Sequence, residues 1–348
     1  MTPVRRACVL LAALTLAPSL VDAQPIKLRV TLQAPVTSHI GANLEQFKGE
    51  VEKGTENAIS IEIFDRGQLY IDERVIDAVS SGEIEMGVAA LDQFSYRTAT
   101  VDVIQLPFLF NFGALVRAAT QPKSQLRMLI DNAVLDATKV RVLWWQPYGS
   151  AVFFSRGREA VVPSRIYNKK IGVFSETMTD FTKHCGGTPL LIPTAKMQDG
   201  LKDGTLDMVM AGVMSVDAHR LWTVADTITR TEHAALEFVV IINEQTWQAL
   251  AQQHRTVITE AARKAERAVR EEIAIMEGRA YVFARDKGMA IYQLTPDQVA
   301  EWRACSASVL DAYMKSPGDL IPEVAEAYKK LRTDPCCSSG PPGSFQGR

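Results

Sequence analysis

The strongest constraint on this chain is an order of strand and helix patterns that occurs twice, with glycines ending the helices. An alternating stretch, Lys27 to Thr31, leads through the loop Gln33 to Ser38 into a segment where Ile40, Leu44, Phe47 and Val51 recur at helical spacing before Gly54. Ile59, Ile61 and Ile63 then alternate with polar residues, and Asp65-Arg66-Gly67 turns the chain. Val75, Ile76 and Val79 mark a short helix that ends at Gly82, and Ile84 to Ala89 reads as a third strand. The second half repeats this order: strand Lys170 to Phe174, helix Glu176 to His184 ended by Gly186-Gly187, strand Leu190 to Ile192, helix Met197 to Lys202, Gly204, and strand Leu206 to Ala211. Gly82, Ile84, Glu85 and Met86 match Gly204, Leu206, Asp207 and Met208 one for one. Two βαβαβ units predict an α/β fold of two lobes, each a mainly parallel sheet flanked by helices. Between the carboxyl ends of two such sheets lies a cleft, the usual ligand site of open α/β folds.

Two long apolar stretches, Val140 to Trp145 and Leu236 to Asn243, bracket the second unit and predict strands crossing between lobes. After Asn243, Glu244 to Arg285 reads as nearly unbroken helix, long enough to lie along both lobes. Helices Pro296 to Met314 and Pro322 to Leu331 complete the globular part. The expected division is residues 24–146 with 236–270 as lobe I, residues 147–235 with 271–331 as lobe II, and a tail, 332–348, of disordered composition.

Arg5 and Arg6 precede an apolar run, Cys8 to Leu20, that ends at the small-residue site Val21-Asp22-Ala23. The run is shorter than the roughly 18 residues a spanning helix needs, so residues 1–23 read as a cleaved secretory signal. The mature chain, from Gln24, is expected in the periplasm, without stable membrane insertion and as a monomer. A hydrophobic content of 47% supports packed cores, and a net charge of −2 gives no basic stripe for nucleic acid. Cys185 and Cys305 read as buried single cysteines rather than a bridge. No Gly-x-Ser-x-Gly elbow, His-Glu-x-x-His helix or phosphate loop is present, and the histidines His39, His184, His219, His233 and His254 are dispersed. Neither an enzyme nor a cofactor is expected.

Six segments in order, Ile61 to Ile71 (IEIFDRGQLYI), Leu106 to Phe110 (LPFLF), Lys169 to Val173 (KKIGV), Gly187 to Pro193 (GTPLLIP), Gly200 to Asp207 (GLKDGTLD) and Asn243 to Leu250 (NEQTWQAL), resemble the DctP-type substrate-binding proteins of tripartite ATP-independent periplasmic (TRAP) transporters. The resemblance runs from about Ile26 to Met314. It implies a periplasmic-binding-protein fold, capture of a small organic solute, usually an acid, and delivery to the transporter's membrane subunits. Coupling to a sensor kinase would use the same closure. In most members an arginine pairs with the substrate carboxylate, since a planar guanidinium meets both oxygens. Here the matching position is Gly172. A second arginine aligns near Ala151, and the family's asparagine aligns near Met210.

Replacement of an arginine by glycine predicts a roomier cleft and a ligand other than a simple carboxylate bound in the usual way: a non-standard acid, an amine, a polyol or an aromatic compound. Aromatic candidates are Trp145 and Tyr148 on the first crossing, Phe174 beside Gly172, and Trp222. Trp144 and Trp145 must face opposite ways, and Trp145 is expected to face the cleft. Acidic candidates are Asp92 after the third strand and Glu176 at a helix start, which with aromatic faces would suit a cation. Gln33 and His39, at the ends of the first loop, complete the set. Arg156, Arg158 and Arg165 are candidate replacements for the missing guanidinium.

Overall fold

The computed structural model describes residues 24–110, 113–316 and 320–337. The expected signal segment, and Ser338 to Arg348 of the expected tail, lie outside the described residues. The first unit comprises β1 (Ile26–Thr31), α1 (His39–Gly54), β2 (Ile59–Phe64), α2 (Val75–Ser81) and β3 (Met86–Ala90). Helices α3 (Gly113–Thr120) and α4 (Gln125–Thr138) lead into β4 (Val140–Ser155). The second unit comprises β5 (Lys170–Val173), α5 (Glu176–His184), β6 (Thr188–Leu191), α6 (Met197–Asp203), β7 (Met208–Gly212), α7 (Ser215–Ala218) and β8 (Thr227–Arg230). The return is β9 (Ala235–Asn243), α8 (Glu244–Ala249), α9 (Gln252–Asp286), β10 (Ala290–Gln293), α10 (Pro296–Met314) and α11 (Ile321–Thr333).

The repeat seen in the sequence is structural. β1 pairs in parallel with β2 and β3, and β5 pairs in parallel with β6 and β7. Gly82 and Gly204 close α2 and α6 with φ of 79° and 80°, a conformation costly for any residue with a Cβ. Glu85 and Asp207, matched in sequence, do matched work: each carboxylate accepts the backbone N–H of the neighbouring parallel strand, from Arg29 and Lys170 respectively, at 2.9 Å.

The two half-sheets are continuous, in the order β2-β1-β3-β9-β4-β7-β5-β6. The crossing strand β4 is longer than the sequence pattern marks, because past Trp145 it keeps alternating: Ala151 and Phe153 face one core, Val152 and Phe154 another. Its register against β9 shifts between Pro147 and Gly149. Gly149 there has φ 86°, and a Cβ would collide with the Glu277 carboxyl of α9, which accepts the Ser150 N–H at 3.0 Å.

Some expectations need correction. The long helix is interrupted at Leu250 and Ala251, both in extended backbone, because Leu250 turns into the core under α1 and α9. Strands β8 and β10, unread in the sequence, form an edge beside β4. Cys185 and Cys305 are a disulfide that staples α5 to α10 rather than buried singles. Helix α11 packs on α3 and α4 as well as on α10. The tail is ordered at its start, with Cys337 buried beside Ala114 and joined to Cys336. Among the described residues, no helix is long and apolar enough to cross a membrane.

Candidate functional site

The carboxyl ends of β1 and β3 in one lobe and of β5 and β7 in the other meet across the crossing strands. The lobes touch there: α5 packs against the 3₁₀ run Ala99–Gln105, and the Phe108 and Phe181 rings meet edge-on at 6.2 Å. On the lobe I side three carboxyls gather, each beside one neutral hydrogen-bond donor. Asp92 follows β3, Asp72 opens the turn before α2, and Asp102 and Gln105 lie on the 3₁₀ run. Burial pushes the Asp92 carboxyl up to about 7, and the charges of Asp72 and Asp102 add to the shift, with Gln105 offsetting part. Burial likewise raises Asp72 to about 6, partly offset by the Gln93 amide, and Asp102 to about 6, partly offset by the Ser95 hydroxyl. Among the described residues no cation contributes to these shifts, and no metal-holding group of His, Cys, Asp or Glu is present. Asp72 Oδ1, Gln105 Oε1 and, on α5, Thr179 Oγ1 are buried without a partner.

The structure brings some sequence candidates to this junction and removes others. His39 and Tyr148 sit together, ring centres 5.0 Å apart, and His39 Nε2 donates to the Pro147 carbonyl at 3.3 Å. Burial lowers His39 to about 4, so it is neutral at physiological pH. Tyr148 also packs on Phe238 and would be struck by any Cβ at Gly212. Gln33 is tied to lobe I by donating to the Tyr70 carbonyl at 2.7 Å. Trp145 is a packing residue: it is fully buried, its indole donates to Asp131 at 2.8 Å, and Arg127 stacks on it at 4.7 Å. Trp144, on the opposite face, is equally buried and donates to Asn43. Met210 is fully buried beside Phe153, and Phe174 is half-buried between two cores. Glu176 is exposed in the first turn of α5, where the helix dipole favours a carboxylate. Trp222 lies under the Lys287 ammonium, 4.5 Å from its ring centre, near the far end of α9.

The absent arginine leaves no extra room. A Cβ on Gly172 would meet Leu206 at 2.9 Å, Val209 at 3.1 Å and Ile192 at 3.5 Å, so apolar side chains fill the space. Gly172→Ala is therefore expected to lose about 1–2 kcal/mol by overpacking. Urea unfolding would check it; an unchanged midpoint would mean that the site yields. The surface arginines do not replace the lost group: Arg156 and Arg158 are exposed, and Arg165 pairs with Glu159 at 2.9 Å. Arg230, half-buried near the junction, is held by Glu232 at 2.6 Å and by the Tyr281 ring at 4.3 Å. His233, fully buried among Phe108, Phe153 and Phe181, is pushed down to about 3 by burial and stays neutral.

Sequence reading found Asp92 but missed Asp72, Asp102 and Gln105. Asp72 looks like an ordinary first-turn carboxylate, and only the fold brings these segments together.

Comparison with known proteins places the arrangement in context. The family model described as bacterial extracellular solute-binding protein, family 7 (DctP), matches residues 31–316. The C4-dicarboxylate-binding periplasmic protein DctP of Vibrio cholerae is 23% identical over 279 residues, 78% of this chain and 81% of that protein. A Bordetella pertussis extracytoplasmic solute receptor binding pyroglutamic acid superposes with a TM-score of 0.81 at 17% identity, covering 87% of this chain and 99% of that one. A TRAP periplasmic solute-binding protein of Shewanella oneidensis with bound succinate gives 0.81 at 19% identity, covering 89% and 100%.

Proposed function

This chain belongs to bacterial extracellular solute-binding protein family 7, and from that premise we propose a working cycle for it as the solute receptor of a TRAP transporter. Residues 24–146 with 236–270 and α11 move as lobe I, and residues 147–235 with 271–320 as lobe II. They open and close about the β4 bulge at Pro147 to Gly149 and its neighbour on β9. The observation that carries this reading is β4 itself, one strand through both half-sheets, with its register broken only between Val142 and Trp144 and between Pro147 and Gly149. Hinges are a few residues that absorb a backbone change while rigid elements move, and the bulge with Gly149 supplies them. The mature chain works in the periplasm, as the Vibrio cholerae relative's name says of that protein. It acts as a monomer and presents the closed, loaded form to the membrane subunits.

Ligand contacts favour closure only by their differential affinity for the closed state. Since the lobes touch in this structure, the ligand-free protein in solution is expected to be more open. A thermal-shift panel of small acids, amines, polyols and aromatic compounds should yield a binder, and small-angle scattering should show a smaller radius of gyration when that binder saturates the protein. A panel without any binder, or a saturated sample with an unchanged radius, would count against the cycle.

A further inference from the structure

We infer that the part-buried edge formed by Asp72, Asp92 and Gln105 of lobe I, beside the lobe II helix α5 that carries Thr179, receives the protonated primary amine of a small organic solute. The inference rests on the receptor reading above and names the chemistry of its ligand. Asp72, Gln105 and Thr179 each hold a buried oxygen without a partner. Gln105 is 3% exposed; its amide donates toward Asp92 and its Oε1 is left without a partner. Asp72 Oδ1 is buried and unpartnered. Thr179, 8% exposed, brings an unpartnered hydroxyl from α5, the helix packed against the run that carries Gln105.

Buried acceptors without donors destabilise a protein, and buried carboxylates without a cation do so more strongly. A primary ammonium removes both deficits at once, because it brings positive charge and three N–H donors, enough for Asp72, Asp92 and Gln105. A carboxylate ligand would add acceptors and like charge to a place that already has too many. Among the described residues, Arg97 pairs with Asp77, Arg230 pairs with Glu232, and the position of the family's arginine is the apolar-filled Gly172.

The test uses the full mature protein near pH 8, where the carboxyls are ionised and simple amines protonated. Calorimetry and thermal shift would compare putrescine, ethanolamine and phenethylamine with choline, succinate, pyroglutamate, glucuronate and mannitol. Choline is the matched control for ethanolamine, since it keeps the charge and loses every N–H. At least one primary amine should bind, ethanolamine at least tenfold more tightly than choline, and Asp72→Asn or Asp92→Asn should weaken amine binding at least tenfold. Circular dichroism of each variant separates lost binding from lost folding. Binding of an acid or of mannitol without any amine overturns the assignment and leaves the receptor reading standing. Choline equal to ethanolamine, or amine binding indifferent to both variants, also overturns it. A flat response to the whole panel overturns both readings.

Discussion

Arg270→Met is expected to lose about 3–5 kcal/mol of unfolding free energy, because it strands a carboxylate deep in the protein. Arg270 lies on α9 and reaches Glu237 of β9 at 3.2 Å and Glu266 at 3.1 Å. Glu266 also meets Arg127 of α4 at 2.6 Å, and Arg127 is held by Asp131 at 2.9 Å. Glu266 is thus shared by two cations, whereas among the described residues Arg270 is the only cation that pairs directly with Glu237, whose side chain is 1% exposed. Burial already raises the Glu237 carboxyl, with the Arg270 charge opposing that shift. Without Arg270 the carboxylate must be buried unpaired or take up a proton. A second change, Glu237→Gln, removes the stranded charge and should restore more than half of the loss. Urea unfolding of the wild type, both single variants and the double variant measures this as a mutant cycle. Additive single and double effects would show that the pair is not coupled. The position bears on the proposed hinge too, since Glu237 is the β9 partner of Pro147, at the edge of the β4 bulge. The network is well placed to hold α9 and β9 still while the backbone beside them bends.

Much of this frame was legible in the sequence because it is written in local patterns. Ile59 and Ile61, alternating with polar residues, do sit in the core, and Gly82 and Gly204 do end helices in the left-handed region. What was illegible depends on pairing across the chain. The bond between Cys185 and Cys305 spans 120 residues and needs α5 and α10 to pack. Strands β8 and β10 are four residues each and exist because they pair with each other, β8 also pairing with β4. The site was half visible. Gly172 announces a missing guanidinium, but only the packing of Leu206, Val209 and Ile192 shows that its space is already taken. Asp92 stands out at a strand end, while the acids that share its burial come from segments with no sequence relation to it.

That shared burial sets the second large effect: Asp92→Asn should make the ligand-free protein more stable near pH 8, by about 4 kcal/mol, since each unit of pKa shift is worth about 1.4 kcal/mol. The folded carboxyl titrates at about 7 against an ordinary 3.8, so between those values the native state holds a proton that the unfolded chain has released. Wild-type stability from this group therefore rises as pH falls through 7 and levels off below about 4. Above 7 the native state carries a buried charge that asparagine lacks. The gain from the substitution should be full near pH 8, shrink through pH 6 and vanish near pH 4. His39 and His233, lowered to about 4 and 3, act in the opposite direction below their ordinary value of 6.5, but both proteins contain them and they cancel in the difference. Urea midpoints of the two proteins at several pH values measure that difference directly, and one that stays constant from pH 4 to 8 would sink the expectation. A saturating primary amine should then narrow or reverse the order of stability near pH 8, because the charge that weakens the empty wild type is the charge that holds the ligand.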